Sequence, residues 1–330
     1  MRLFLVLGVA LFVPLIAGAQ ALGGLGTVSG EAFTASVRPE YPAPFSQATV
    51  SLLSDTLDLT QATLTVLVDG KETYRGAAHS FSVPLGRTGR VTTVKMTIAA
   101  GGKNYSKTAS IQPQDVVLIA EPIASAPPLY PGKPLVPLEG KVRVVAVASL
   151  KDAQGKLVAP SAYAYAWTVD GVRLPNSSGV GKSAIIIDSP FQYRSRDVSV
   201  VVVGGALVGG AALSLSASAP SVRIYESDSL LGVRFERALS GAYTINKAET
   251  TLYAAPFSLS ISSGLPFLRW FLNGADAQTG PVITLRPTGS GRGAASLSLT
   301  ASGGDSEAAT ALAELSLNFG ESSGLNLFGL

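Results

Sequence analysis

A short strand-and-turn motif occurs three times in this chain, about one hundred residues apart, and it constrains the fold more than any other feature. Its copies are Val66-Leu67-Val68-Asp69-Gly70, Trp167-Thr168-Val169-Asp170-Gly171 and Trp270-Phe271-Leu272-Asn273-Gly274. Each places a large apolar residue two positions before a second one and closes on Asp-Gly or Asn-Gly. Other pieces keep the same register. Pro39-Glu40-Tyr41-Pro42 returns as Pro128-Leu129-Tyr130-Pro131, and Val117-Leu118-Ile119-Ala120-Glu121 returns as Val222-Arg223-Ile224-Tyr225-Glu226. Repetition at this period describes an array of similar small domains.

Strand geometry explains the motif. Side chains alternate across a strand, so Tyr163, Tyr165, Trp167 and Val169 share one face, with Ala164, Ala166 and Thr168 on the other. The third copy likewise turns Leu268, Trp270 and Leu272 inward. We therefore expect Val66, Tyr165, Trp167, Val169, Leu268, Trp270 and Leu272 in the cores. Asp69-Gly70, Asp170-Gly171 and Asn273-Gly274 then supply the positive φ angles of tight hairpin turns. Val66 in place of tryptophan predicts a smaller or differently packed first core.

Each copy closes on two apolar runs separated by Gly-Gly: 91–111, 198–217 and 295–319. That is a hairpin signature. The middle run carries no charge from Val200 to Leu213, yet it is shorter than the roughly 20 residues of a membrane span and is rich in glycine. Glu307 to Leu315 has helical propensity, which the repeat overrides in favour of a strand. Ser227 to Leu239 has no counterpart in the other copies and reads as an insertion with a short helical turn, where a unit-specific partner would bind.

A buried tryptophan followed by a hairpin is how an immunoglobulin-like sandwich fills the space between its sheets. The fold expected is all-β: three tandem Ig-like antiparallel sandwiches of about seven strands each, at 22–113, 114–218 and 219–320. The tryptophan strand, the proline-rich segments and the closing hairpins resemble the Ig-like and PKD-like tandem repeats of bacterial exported and surface proteins, over residues 30–320. PKD domains usually carry W-x-F-G-D-G, and the extra Gly-Asp step is lacking here. The resemblance implies a stalk, spacer or adhesive role without catalysis in the repeat.

Residues 1–21 read as a signal peptide. Met1-Arg2 precedes the apolar run Leu3–Ala17, and small-x-small cleavage sites follow at Ala17-Gly18-Ala19 and Ala19-Gln20-Ala21. Export follows, to the periplasm, cell surface or medium. Any membrane contact is through this segment if it stays uncleaved. With no cysteine in the chain, neither a lipid-anchored form nor a disulfide framework is available. A net charge of +3 with dispersed basic residues argues against nucleic acid.

Candidates for chemistry are few, and no cofactor or metal is expected. Asn176 to Asp188, NSSGVGKSAIIID, mimics a phosphate loop followed by a magnesium aspartate. A true loop needs glycine where Asn176 stands and a helix after the Lys-Ser. Ala184-Ile185-Ile186-Ile187 is a β-branched run instead, so no nucleotide site is expected. His79, the only histidine, has no triad around it. Gly320-Glu321-Ser322-Ser323-Gly324 matches a nucleophile elbow in letters only, and Thr288 to Gly293 reads as a loop. Glu121, Glu226 and Asp228 fall short of the six to eight oxygens that calcium takes. Phe191, Tyr193, Phe267 and Phe271 are the aromatics a glycan would need.

Residues 321–330 form an apolar tail, with Leu325, Leu327, Phe328 and Leu330 either folded back or captured by a partner. The expected function is therefore a non-enzymatic structural, adhesive or spacer protein of the bacterial envelope. Its partners would be other envelope proteins or further copies of itself, with a surface ligand or glycan less expected. The alternative is an accessory subunit of a pilus or secretion machine recruited through the tail. A carbohydrate-binding module ranks last.

Overall fold

The computed structural model describes residues 32–128, 130–288, 292–303 and 309–319. Residues 1–21, read above as a signal peptide, and the tail with Leu325, Leu327, Phe328 and Leu330 lie outside the described residues. The architecture is β throughout, with three single 3-10 turns as the helical content among the described residues.

The first sandwich uses β1 (Thr34–Arg38), β2 (Gln47–Leu53), β3 (Thr63–Val68), β4 (Lys71–Ala77), β5 (Phe81–Pro84), β6 (Thr92–Ala100) and β7 (Lys103–Ile111). They form two sheets, β1-β2-β5 and β4-β3-β6-β7. Strict alternation, such as Thr-Val-Lys-Met-Thr-Ile on β6, gives each strand one apolar face. The two apolar faces close on a core that includes Val50, Leu64, Val66, Val83, Met96 and Ile98.

The next set is β8 (Asp115–Pro122), β9 (Lys141–Ser149), β10 (Ala164–Val169), β11 (Val172–Arg173), β12 (Gly179–Val180), β13 (Ala184–Asp188), β14 (Ser195–Gly204) and β15 (Leu207–Ser216). Its sheets are β13-β9-β8 and β11-β10-β14-β15, with β12 also paired to β10. Val142, Val144, Ile185 and Ile187 of one sheet and Tyr165, Trp167, Val198, Val200 and Val202 of the other are buried.

The last set is β16 (Ser221–Asp228), β17 (Gly232–Leu239), β18 (Gly241–Ile245), β19 (Thr250–Phe257), β20 (Phe267–Leu272), β21 (Ala275–Thr279), β22 (Val282–Leu285), β23 (Gly293–Ser302) and β24 (Thr310–Phe319). These give β17-β16-β19-β22 and β18-β24-β23-β20-β21, closing on a core around Trp270, Leu252, Leu297 and Leu299. The recurring strand order, first-second-fifth against the remaining four in the first set, is that of an Ig-like Greek-key sandwich.

Two features differ from the sequence reading. Ser227 to Leu239 is a β-hairpin rather than a helical turn: the Asp228 carboxylate accepts the N–H groups of Leu230 and Leu231, which reverses the chain, and β17 runs back along β16. The pairing is also not wholly antiparallel. β18 lies parallel to β24 over five residue pairs. The matching segment of the second set makes one parallel bridge, Pro137 to Ser218, because Pro131, Pro134 and Pro137 have no N–H to donate.

The chain divides into two compact units. One holds the described residues up to Asp115 with Leu150–Leu157 and Leu207–Gly209; the other holds those of Val116–Ser149, Val158–Ala206 and from Gly210 on. Within the second unit, main-chain bonds join Ile123 and Ser125 to residues 258–261, including Ser125 N–H to the Leu259 carbonyl at 2.7 Å and Ile261 N–H to the Ile123 carbonyl at 3.2 Å.

Candidate functional site

The repeated motif builds one device three times. Asp69, Asp170 and Asn273 each have φ of 50, and the glycines after them have φ of 82, 78 and 79. The acidic or amide side chain then does more than tolerate the turn. Oδ1 of Asp69, Asp170 and Asn273 accepts the N–H of Thr93, Asp197 and Ser296 respectively, each at 2.9 Å. The same three residues donate their own N–H back to the carbonyls of Thr93, Asp197 and Ser296, each at 2.8 Å. The turn is thereby locked to the neighbouring strand of its sheet, β6, β14 or β23. Arg90 and Arg196 add exposed ion pairs to Asp69 and Asp170; such pairs contribute little.

Val66, Trp167 and Trp270 are fully buried, Tyr165 and Leu268 nearly so, and Val169 and Leu272 are half-buried near the turn. Across the sheet Val66 faces Met96, Trp167 faces Val200 and Trp270 faces Leu299. A long methionine beside the short valine fills the first core. Each indole N–H finds a main-chain acceptor: Trp167 donates to the Lys182 carbonyl at 2.8 Å, and Trp270 to the Gly280 carbonyl at 2.9 Å.

That bond explains NSSGVGKSAIIID. Pro175–Ser177 is one 3-10 turn, Gly179–Val180 pairs with β10, and Ala184–Asp188 is β13. Ser178 Oγ accepts the Trp167 main-chain N–H at 3.0 Å and donates to the Leu174 carbonyl at 2.7 Å. Lys182 contributes its carbonyl to the indole while its side chain is exposed. No helix follows Ser183, and Asp188 lies at the end of β13 beside Lys141. The segment clasps the tryptophan.

The remaining candidates are dispersed. Glu121 pairs with Arg143 and Glu226 with Lys247. The Asp228 carboxyl is held below the usual aspartate range by the N–H groups of Leu230 and Leu231, and Glu226 raises Lys247. Among the described residues no three His, Cys, Asp or Glu gather as a metal cluster would. His79 is exposed between β4 and β5, with its ring 4.8 Å from that of Tyr74. Phe191 and Tyr193 are exposed in the loop before β14. Phe267 is exposed on β20, and the Phe271 ring is covered by the Arg269 guanidinium at 5.1 Å. These four do not form one platform. Residues 289–291 of the glycine-rich loop and Gly320-Glu321-Ser322 lie outside the described residues.

Two apolar surfaces escaped the sequence reading. Leu230 and Leu231 stand exposed at the tip of the β16–β17 hairpin. The outward face of β13-β9-β8 carries Val117, Ile119, Val145, Val147 and Ile186. The signal for the second was present: Val144 to Val147 on β9 is apolar without interruption, so both faces of that strand are apolar.

No protein-family model matches the chain, and no curated protein does either. Similar solved structures are tandem arrays. The three N-terminal domains of the bacteriophage RB49 Highly Immunogenic Outer Capsid protein match at 11% identity and a TM-score of 0.24, over 88% of this chain and 98% of that one. A central fibronectin-III array of RIM-binding protein matches at 9% and 0.29, over 90% and 100%. Drosophila OTK extracellular domains 3–5 match at 12% and 0.22, over 84% and 91%. With similarity this slight, the fold rests on the strand orders and cores described above.

Proposed function

We propose that the chain is a non-enzymatic structural or adhesive protein, built of tandem Ig-like sandwiches and exported to the bacterial cell envelope. The observation that carries this reading is how the residues suggestive of chemistry are used. The phosphate-loop look-alike clasps Trp167, and the candidate acids hold a cation or a turn. What varies between copies is surface, as in a scaffold. Export rests on the apolar segment Leu3–Ala17. Fractionating cells that express the full chain and a chain lacking residues 2–21 tests it. The full chain should appear in the envelope or medium and the shortened one in the cytoplasm; equal cytoplasmic retention of both would refute export.

A second reading is an accessory subunit recruited through residues 321–330. What favours it is that Phe319, just before this stretch, pairs beside Ile245, at the end of the sandwich where Lys247 meets Glu226 and the Leu230-Leu231 tip begins. Deleting residues 321–330 should leave folding intact and abolish co-purification with envelope proteins; loss of folding instead assigns the stretch to the third sandwich.

A further inference from the structure

The sheet β13-β9-β8 has one face in a core and one face outside. Val142, Val144 and Ala146 on β9 and Ile185 and Ile187 on β13 point inward and are buried. Of the residues between them, which point outward, Val145 and Ile186 are β-branched and apolar, while Arg143, in register with Ile186, is charged and paired with Glu121. Val117 is 51% exposed, Val147 53% and Ile186 60%, with Ile119 and Val145 half-buried among them.

The equivalent faces of the other sandwiches are different. On β1-β2-β5 the outward residues include Thr34, Ser36, Thr49, Ser51 and Ser82, with Ser36 opposite Ser51 and Thr49 opposite Ser82, and a single exposed leucine, Leu53, at the end of β2. On β16-β19-β22 they include Arg223, Thr251 and Thr284, the two threonine hydroxyls lying 3.3 Å apart. Tyr225 there is covered by Phe235 of β17. An exposed cluster of branched apolar residues on one sheet of three, at the same place in the same fold, marks an interaction surface.

Its form restricts the occupant. The face is a flat sheet of branched side chains without an aromatic anchor, and a flat apolar sheet is complemented by another flat apolar sheet, as inside each sandwich. Its Lys141 end carries both signs, Lys141 with Asp188 and, one row further along β9, Arg143 with Glu121. A two-fold-related copy therefore meets opposite charges with no net repulsion. β8 also ends its sheet with a free edge, whereas the matching edge of β16 is closed by β17. We propose that the chain self-associates through the outward face of β13-β9-β8, two copies packing these sheets against each other. The inference stands on this face alone and does not depend on export or on the role of residues 321–330. Three short strands offer far less than the roughly 800 Å2 per partner of a stable interface. The association is accordingly weak and concentration-dependent.

Sedimentation velocity of the full chain, from about 5 to about 500 μM, tests this. The sedimentation coefficient should rise with concentration, and Val147→Lys with Ile186→Lys should abolish the rise. Val147→Thr with Ile186→Thr, which copies the first sandwich's chemistry and keeps β-branched side chains, should weaken it with unchanged melting. Ser51→Lys, on the equivalent face of the first sandwich, should leave it intact. A chain that stays monomeric over the range, or association that survives both double variants, overturns the proposal. So does a monomeric chain that floats with phosphatidylcholine vesicles through Val147 and Ile186, which would assign the face to lipid.

Discussion

The second and third sandwiches share an interior and differ in their skin. Both bury a tryptophan on the strand before an Asp-Gly or Asn-Gly turn, tie its indole to a main-chain carbonyl, and lock the turn to a later strand. Outside, one presents valine and isoleucine where the other presents threonine, arginine and a tyrosine roofed by an extra strand. An interior device is constrained by close packing, so copies keep it, while an outward face is free to take on a role. The function of the array is therefore sought where the copies diverge.

The shared interior can be broken first. Trp167→Ala and Trp270→Ala should each cost about 3–5 kcal/mol, since each empties a filled core and orphans a carbonyl; urea melts that differ widely between the two would show that the copies are not built alike. Ser178→Ala should cost about 1–3 kcal/mol, because it leaves the Trp167 N–H without its acceptor. The third sandwich has no such serine contact on Trp270 among its hydrogen bonds described above, so this variant sharpens the difference. Asp170→Ala and Asn273→Ala should each cost about 1 kcal/mol, through the lost bond to Asp197 or Ser296 and a residue less suited to positive φ. Lys182→Ala should change stability by less than about 0.5 kcal/mol, since the backbone carbonyl remains. A large loss there would give the lysine side chain a role.

The smallest effect concerns pH at the third sandwich's hairpin. The folded Asp228 carboxyl titrates below its ordinary value of 3.8 because Leu230 and Leu231 donate to it. A depressed carboxylate stabilises the fold above the unfolded value and loses that contribution as pH falls through the folded one. Amide exchange at Leu230 and Leu231, corrected for intrinsic pH dependence, should lose protection below pH 3.8 and be flat above it. Asp228→Asn should remove that dependence.

Much of this was legible in the sequence, for reasons that can be named. Asp69, Asp170 and Asn273 announced turns because few residues accept positive φ. The tryptophan strands declared their inward faces by period two. Gly280 to Leu285 and Ser80 to Val83 told that Ala184 to Asp188 is a strand, because the copies share a register. The rest depended on distant backbone. That the indole of Trp167 meets the Lys182 carbonyl, and that Asp170 caps Asp197, are contacts of main-chain groups which every residue carries. The Ser227 to Leu239 insertion hid its strand because the alternation Val233-Arg234-Phe235-Glu236 breaks at Arg237, where the pairing with β16 slips, and an unrepeated segment has no register to borrow.

The GVGKS segment serves the core, its Lys182 carbonyl holding the Trp167 indole. The chain has two tryptophans, so its proton–nitrogen correlation spectrum contains two indole signals. Following both by hydrogen exchange, with and without MgATP, tests the claim directly. Both indoles should be strongly protected, each through its carbonyl bond, and neither signal should move when the nucleotide is added. A Trp167 indole that exchanges at the rate of an exposed one, or a signal that shifts with MgATP, would contradict it.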